Sequence, residues 1–141
     1  MNNVMKVVFI AFIDNGKLLV SKSVRSSKQG LYTLIGGAVE NDETLLEAAI
    51  REAKEEINSD FDIKQKDLEL LFHYIEPAAS DPNLNLEFNI FLAHKKIDVE
   101  LQTNLEILEH KWYDIYDCET KLSSAIVNYF MPYAIEKGLL Y

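Results

Sequence analysis

The sequence predicts an α/β domain, because extended runs flank one amphipathic helix and a second helix closes the chain. Three observations carry this. Val4 to Ile13 is a β-branched and aromatic run that stops at Asp14-Asn15-Gly16, a hairpin turn signal. Leu46, Ile50, Ala53 and Ile57 recur at i, i+4, i+7 and i+11, a narrow apolar stripe on a helix. Leu84 to Leu92 alternates apolar and polar residues with strand periodicity. At 141 residues the chain is expected to form one domain, residues 1–141, with a substantial core.

The elements follow in order. Val4 to Ile13 reads as a buried strand, and Lys17 to Ser21 returns as its hairpin partner. Ser23 to Gly30 reads as a polar loop carrying Arg25 and Lys28, with Lys22 just before it. Leu31 to Ile35 is a short strand holding Tyr32, which either packs in the core or meets a ligand. It feeds a Gly36-Gly37 turn, where a ligand could approach the main chain. Val39 to Asp42 is a loop, and Thr44-x-x-Glu47 is a capping box that starts a helix at about Leu45.

Beyond the helix, Ser59 to Asp67 is a polar connection and Leu68 to Ile75 a strand, broken at Glu76-Pro77. His73 within it reads as structural. Ala78 to Asn83 is an exposed turn. In the strand Leu84 to Leu92, Asn85, Glu87 and Asn89 share one face with Phe91, turned either to a cleft or to water. Ile97, Val99 and Leu101 suggest an edge strand, and Lys111 to Ile115 a last one. From Lys121 the chain reads as helical, with Leu122, Ile126, Tyr129 and Phe130 on its apolar side. Pro132 should kink or end that helix, and Gly138 suits a stop.

Composition narrows the function. A net charge of −9 argues against a surface for nucleic acid polymers. A small phosphorylated substrate stays open, since a bound metal and a few cations can offset the charge. The only cysteine, Cys118, excludes a disulfide framework and a thiolate metal site, and reads as a buried small hydrophobe. The apolar run Val7 to Ile13 is too short to span a bilayer, so a cytoplasmic location with no membrane partner is the default expectation.

The chemistry concentrates on the first helix. Glu52, Glu55 and Glu56 cluster beside its apolar stripe, and the small Ala48 and Ala49 a turn earlier would leave room above them. Like charges at i, i+4 cost roughly 0.2–0.5 kcal/mol per pair. A hard divalent cation, which takes carboxylate and carbonyl oxygens, would reverse that sign. The alternative is a Glu-rich solvated helix, which leaves the Gly-Gly pair and Arg51 unexplained.

This stretch resembles the Nudix box of MutT-like hydrolases: Gly37, five residues, Glu43, seven residues, Arg51-Glu52, Ala53, any residue, Glu55-Glu56. Asn58 and Ser59 stand where the pattern has Gly and an aliphatic residue. Asn58 is expected to keep a left-handed helix cap. Ile35 stands for a frequent Pro, and Asp42 for a frequent Gly. The resemblance covers the box in detail and the flanking strand order loosely.

It implies a Nudix-like α/β/α sandwich with a mixed β-sheet. It implies that Glu52, Glu55, Glu56 and the Gly36 carbonyl hold Mg²⁺ (or Mn²⁺), with Glu56 the main ligand and Glu52 the general base. Glu43 would brace the loop through Arg51, which orients carboxylates and does not touch substrate. Arg25, Tyr32, Gly37 and Glu87 become substrate-side candidates. Glu106, ahead of Trp112, is a further metal ligand or base, with Glu109 the runner-up. The implied reaction is hydrolysis of a nucleoside diphosphate linked to another group. The simplest case is a nucleoside triphosphate cut to monophosphate and pyrophosphate; nucleotide sugars or dinucleotides, and a non-catalytic nucleotide sensor, are the alternatives. A homodimer is allowed.

Overall fold

β1 (Asn3–Ala11) takes up the β-branched N-terminal run and passes through Phe12 into the short β2 (Ile13–Asp14). Asn15 and Gly16 adopt φ of 51° and 76°, as a two-residue hairpin demands, and β3 (Lys17–Ser23) returns. There follow a single helical turn α1 (Val24–Ser27), β4 (Ile35–Ala38), α2 (Leu45–Glu56), a 3₁₀ turn (Gln65–Asp67), β5 (Leu68–Pro77), β6 (Leu84–Ala93) and β7 (Ile107–Tyr113). A C-terminal helical segment begins at Ser124. It has π hydrogen bonding over Ile126–Phe130 and ends as α3 (Met131–Glu136). The computed structural model describes residues 3–78 and 81–141.

One sheet has the order β4-β1-β6-β5. Its centre is a parallel pair, Val7 opposite Phe88 and Ala11 opposite Leu92, and its other pairings are antiparallel. The second sheet, β2-β3-β7, is antiparallel, with Leu19 opposite Trp112 and Ser21 opposite His110. Helices cover both sides. Ala48, Ala49, Ala53 and Ile57 of the α2 region pack with Val8, Ile10, Phe12, Leu19 and Ile35. Ile126, Phe130 and Ala134 pack with Ala11, Leu18, Val20, Ile90 and Leu92. Each fully buried Phe, Leu or Ile contributes roughly 1.5–3 kcal/mol of transfer free energy, so these two clusters hold the layers together. The result is the expected α/β/α sandwich with a mixed β-sheet.

Several local expectations change. Gly36 and Gly37 do not form a turn; they lie inside β4, opposite Phe9 and Val8. A Cβ on Gly36 would collide with the Val8 carbonyl oxygen, and one on Gly37 would sit 2.6 Å from Glu52 Oε1. These glycines therefore serve close approach, not chain reversal. The strand expected at Leu31 to Ile35 shrinks to single bridges, Thr33 with Ser21 and Tyr32 with Leu122. The Ser23 to Gly30 loop contains α1, because Ser23 and Ser26 cap each other reciprocally.

β5 continues through Glu76 to Pro77, which an edge strand tolerates. Residues 97–101 form no strand; Ile97, Val99 and Leu101 are fixed by packing their side chains on the α2-side core. The last strand starts earlier than expected, at Ile107. Cys118 is exposed, not buried. Ala48 and Ala49 are fully buried and leave no room above the carboxylates: small side chains let α2 lie close on the sheet. Asn58 is not left-handed. Among the described non-glycine residues only Asn15 and Asp42 have positive φ. Of the expected turn at Ala78 to Asn83, Ala79 and Ser80 lie outside the described residues. Pro132 falls just after the change from π to α bonding, and Gly138 takes φ 71° at the stop.

Candidate active site

Helix α2 starts where Thr44 and Glu47 exchange bonds: Glu47 N donates to Thr44 Oγ1 at 3.1 Å and Thr44 N to Glu47 Oε1 at 2.9 Å. This capping fixes the phase of the helix, and hence the direction of Arg51 two turns on. The Arg51 guanidinium is fully used. Nε and Nη2 meet the two Glu43 oxygens at 2.6 and 2.9 Å, and Nη2 also donates to the Ala38 carbonyl at 2.9 Å. Nη1 donates to Glu52 Oε1 at 3.0 Å and to Glu55 Oε2 at 3.2 Å. Such forked, charge-assisted bonds are the strong kind. They hold the Glu43 carboxyl below its usual range and raise Arg51. Asp42, at φ 69°, makes the loop reversal that presents Glu43 to Arg51. A Gly would adopt that angle without steric cost.

Glu52 and Glu56 lie against the glycine strand. Glu52 covers Gly37, and Glu56 accepts a 3.0 Å bond from the Gly36 N–H. That N–H is the group by which Gly36 meets Glu56. Glu56 is only 9% exposed. Burial, reinforced by the hydrogen bond and charge of neighbouring Glu52, pushes its carboxyl up to about 10, against the opposing pull of the Gly36 N–H. Burial thus favours the protonated form of Glu56 in the metal-free protein. Glu55 projects outward and is exposed.

The donor set is all oxygen, as a hard divalent cation prefers. Among the described residues, no three acidic, His or Cys side chains converge on a ready-made cage. Glu56 is buried beside Glu52, where an ionised carboxylate needs a positive partner. Hard oxygen donors around a carboxyl that burial forbids to ionise alone fit a divalent metal.

Across an open cleft from Glu55 and Glu56 stand Asn104, Leu105 and Glu106, around a volume of about 440 Å³. The Glu106 carbonyl accepts from Val24 N at 2.8 Å, which brings α1, and exposed Arg25 on it, to the same end of the molecule. Glu109 instead lies opposite Lys22 in the β3–β7 pairing and faces Tyr32. Tyr32 is buried in the core under the C-terminal helix. Lys22 Nζ lies 4.7 Å and Lys111 Nζ 5.9 Å from its ring centroid. Burial, then Glu109, pushes the Tyr32 hydroxyl up to about 12.

Glu87 is bonded by Asn89 Nδ2 at 3.2 Å and lies 3.5 Å from His73 Nε2, with no partner on the acidic helix. Burial opposes its ionisation, yet the Asn89 and His73 bonds bring it net below the usual carboxylate range. The structure thus gathers Glu43, Arg51, Glu52, Glu55, Glu56, Gly36 and Gly37, with Glu106 across the cleft. Tyr32 and Glu87 sit apart. Sequence reasoning missed Asn104. Its only signal was an Asn two residues before an acid, a local side-chain-to-backbone turn pattern.

A mixed sheet between helices carries, on its glycine strand, an acidic helix braced by Arg51. The chain belongs to the Nudix family: the NUDIX domain profile matches residues 4–130. Among solved structures, the fold is similar to the MutT protein of Methanosarcina mazei Go1, at TM-score 0.76 and 17% identity over 96% of each chain. It is similar to the MutT NUDIX hydrolase of Burkholderia pseudomallei, at TM-score 0.73 and 21% identity, over 88% of this chain and 93% of that one. An ADP-ribose pyrophosphatase of Streptococcus suis is more distant, at TM-score 0.55 and 19% identity, over 83% of this chain and 78% of that one. No curated protein is significantly similar in sequence. Among the described residues no helix is long and apolar enough to cross a membrane.

Proposed function

We propose that this Nudix domain, residues 1–141, is a Mg²⁺- or Mn²⁺-dependent pyrophosphohydrolase of small nucleotides that releases a monophosphate and pyrophosphate from a nucleoside triphosphate. One observation carries the reading: the Arg51 fork holds Glu43 and Glu52 in place while Glu56 is buried beside them against the Gly36 N–H. Glu52, Glu55 and Glu56, with the Gly36 carbonyl, would hold the metal. When bound, the ion offsets the charge of adjacent phosphates and acidifies a water molecule. Glu52 is our choice for the group that takes the proton of the attacking water; its carboxylate lies over Gly37, where the absent side chain makes room for it. Glu106, across the cleft, is the second choice. Arg25, on the turn bonded to the Glu106 backbone, is the substrate-side cation.

The solved neighbours support small nucleotide substrates without selecting one, since their names include MutT and ADP-ribose pyrophosphatase. The test is release of phosphate, through a coupling pyrophosphatase or phosphatase, from a panel of nucleoside triphosphates, nucleotide sugars and dinucleotides with Mg²⁺ or Mn²⁺. Turnover of triphosphates alone supports the proposal. Turnover confined to nucleotide sugars or dinucleotides replaces the substrate class and keeps the chemistry. Metal-dependent binding without turnover of any member would overturn it in favour of a nucleotide sensor. Size measurement in solution decides whether the chain works as a homodimer.

A further inference from the structure

The cleft wall that carries Glu106 has little regular structure of its own. Residues 94–106 form neither helix nor strand, and at the tip Leu105 is 93% exposed. Yet this segment is fastened to the C-terminal turn of α2 by side-chain amides. Asn104 Nδ2 donates to the Glu55 carbonyl at 3.1 Å, one of the carbonyls that a helix end leaves without an internal partner. The Oδ1 of the same amide accepts from Glu106 N at 2.8 Å and from Ile107 N at 2.7 Å. Its own backbone N donates to the Ile107 carbonyl at 3.0 Å. One residue thus joins the main chain of the acidic helix to the main chain of Glu106.

The root of the segment is tied down as well. Asn58 Nδ2 donates to the Glu100 carbonyl at 3.1 Å, and Gln102 N to the Ile57 carbonyl at 2.9 Å. His110 Nε2 meets the Gln102 carbonyl at 2.8 Å, and its Nδ1 is 2.6 Å from Oγ of Ser21, a side chain 1% exposed. Asn58 stands where the resembling pattern has Gly, and glycine could not make the bond to Glu100. Here the departure adds a tether.

We propose that Asn104 is a positioning residue: it sets Glu106 against Glu55 and Glu56 across the cleft, with Asn58 as the second tether. The proposal rests on the reading of Glu106 as a metal-site or base carboxylate. Only an amide of this length fits the role. Serine keeps an oxygen for the Glu106 N–H but cannot reach the Glu55 carbonyl, and aspartate loses the donor.

The test is a double-mutant cycle on the full chain with Asn104→Ala and Glu106→Gln, read by Mn²⁺ affinity in the absence of nucleotide and by kcat. A positioning residue acts through its target, so Asn104→Ala should weaken whichever quantity Glu106→Gln weakens, by about tenfold. The effect should vanish when Glu106 is already Gln. Should Asn104→Ala melt well below wild type, Asn104→Ser takes its place in the same cycle. Asn58→Gly should reproduce the loss in smaller degree. Wild-type behaviour of the Asn104 variants, while Glu106→Gln is impaired, overturns the proposal, as does full additivity. If Glu106→Gln itself changes neither Mn²⁺ affinity nor kcat, the role of Glu106 fails first and takes the proposal with it.

Discussion

Arg51 grips Glu43 with two nitrogens, at 2.6 and 2.9 Å, and Glu52 with the third, at 3.0 Å. A single guanidinium thereby couples the loop before α2 to the carboxylates on it. Lysine has one charged nitrogen and cannot make this fork. Arg51→Lys is expected to cost about 1–2 kcal/mol in denaturant unfolding, from the bonds it cannot remake to charged groups. Turnover should fall much further, because Glu52 loses its restraint. A variant with wild-type kcat would remove Arg51 from the site.

The same fork predicts an acid limb. The folded Glu43 carboxyl lies below its ordinary value, chiefly through Arg51. A depressed carboxyl contributes stability above its unfolded pKa and loses it as pH falls through the folded value. Melting temperature should therefore drop below about pH 4.5, and Glu43→Gln should flatten that part of the profile while lowering stability at pH 7. An unchanged acid limb in Glu43→Gln would contradict the assignment.

Glu56 gives the opposite sign. Its folded carboxyl is raised to about 10, so burial favours the protonated form in the metal-free protein and a ligating carboxylate must give the proton up. Metal affinity should then rise with pH across the neutral range, and Mg²⁺ binding should release close to one proton per site. Calorimetry in buffers of different ionisation enthalpy measures that number. Glu56→Gln, which matches the protonated carboxyl in shape, should keep the unfolding free energy within about 1 kcal/mol of wild type by the usual hydrogen-bond scale. It should abolish both the release and turnover; near-normal turnover at saturating Mg²⁺ would end the metal-ligand role.

The two glycines of β4 should respond differently to alanine. At Gly37 the added carbon meets the far end of the Glu52 side chain, which can swing away. Folding should survive and catalysis should drop by two or more orders of magnitude, as misplaced catalytic groups do. At Gly36 the added carbon meets the backbone of β1, which cannot yield. Gly36→Ala is expected to destabilise by more than about 3 kcal/mol, on the scale of severe overpacking. Equal thermal stabilities for the two variants would disprove the distinction.

What could be read in advance, and what could not, follows from where the information lies. The capping of Thr44 and the phase of Glu52, Glu55 and Glu56 are local, fixed by spacing along one helix, and they were legible. The burial of Ala48 and Ala49 depends on how closely α2 approaches β1, a distance no spacing encodes. Gly36-Gly37 reads as a turn in isolation and becomes strand only because β1 pairs with it. Asn104 left only a faint signal because its side-chain partners, the Glu55 carbonyl and the Glu106 and Ile107 N–H groups, are all main chain.

The parallel pairing at the sheet centre bears on how the site comes into being. Asn3 is opposite Leu84 and Ala11 opposite Leu92, so the middle of the sheet closes only after more than half the chain has been gathered. Parallel pairs at such separation are non-local contacts and form slowly. The Arg51–Glu43 fork, eight residues apart, can form before then, whereas Glu106 arrives with β7, later still. A nascent chain therefore acquires its helix glutamates well ahead of the opposite wall of the cleft, and a ribosome-stalled fragment lacking β7 should hold the first half of the site without the second.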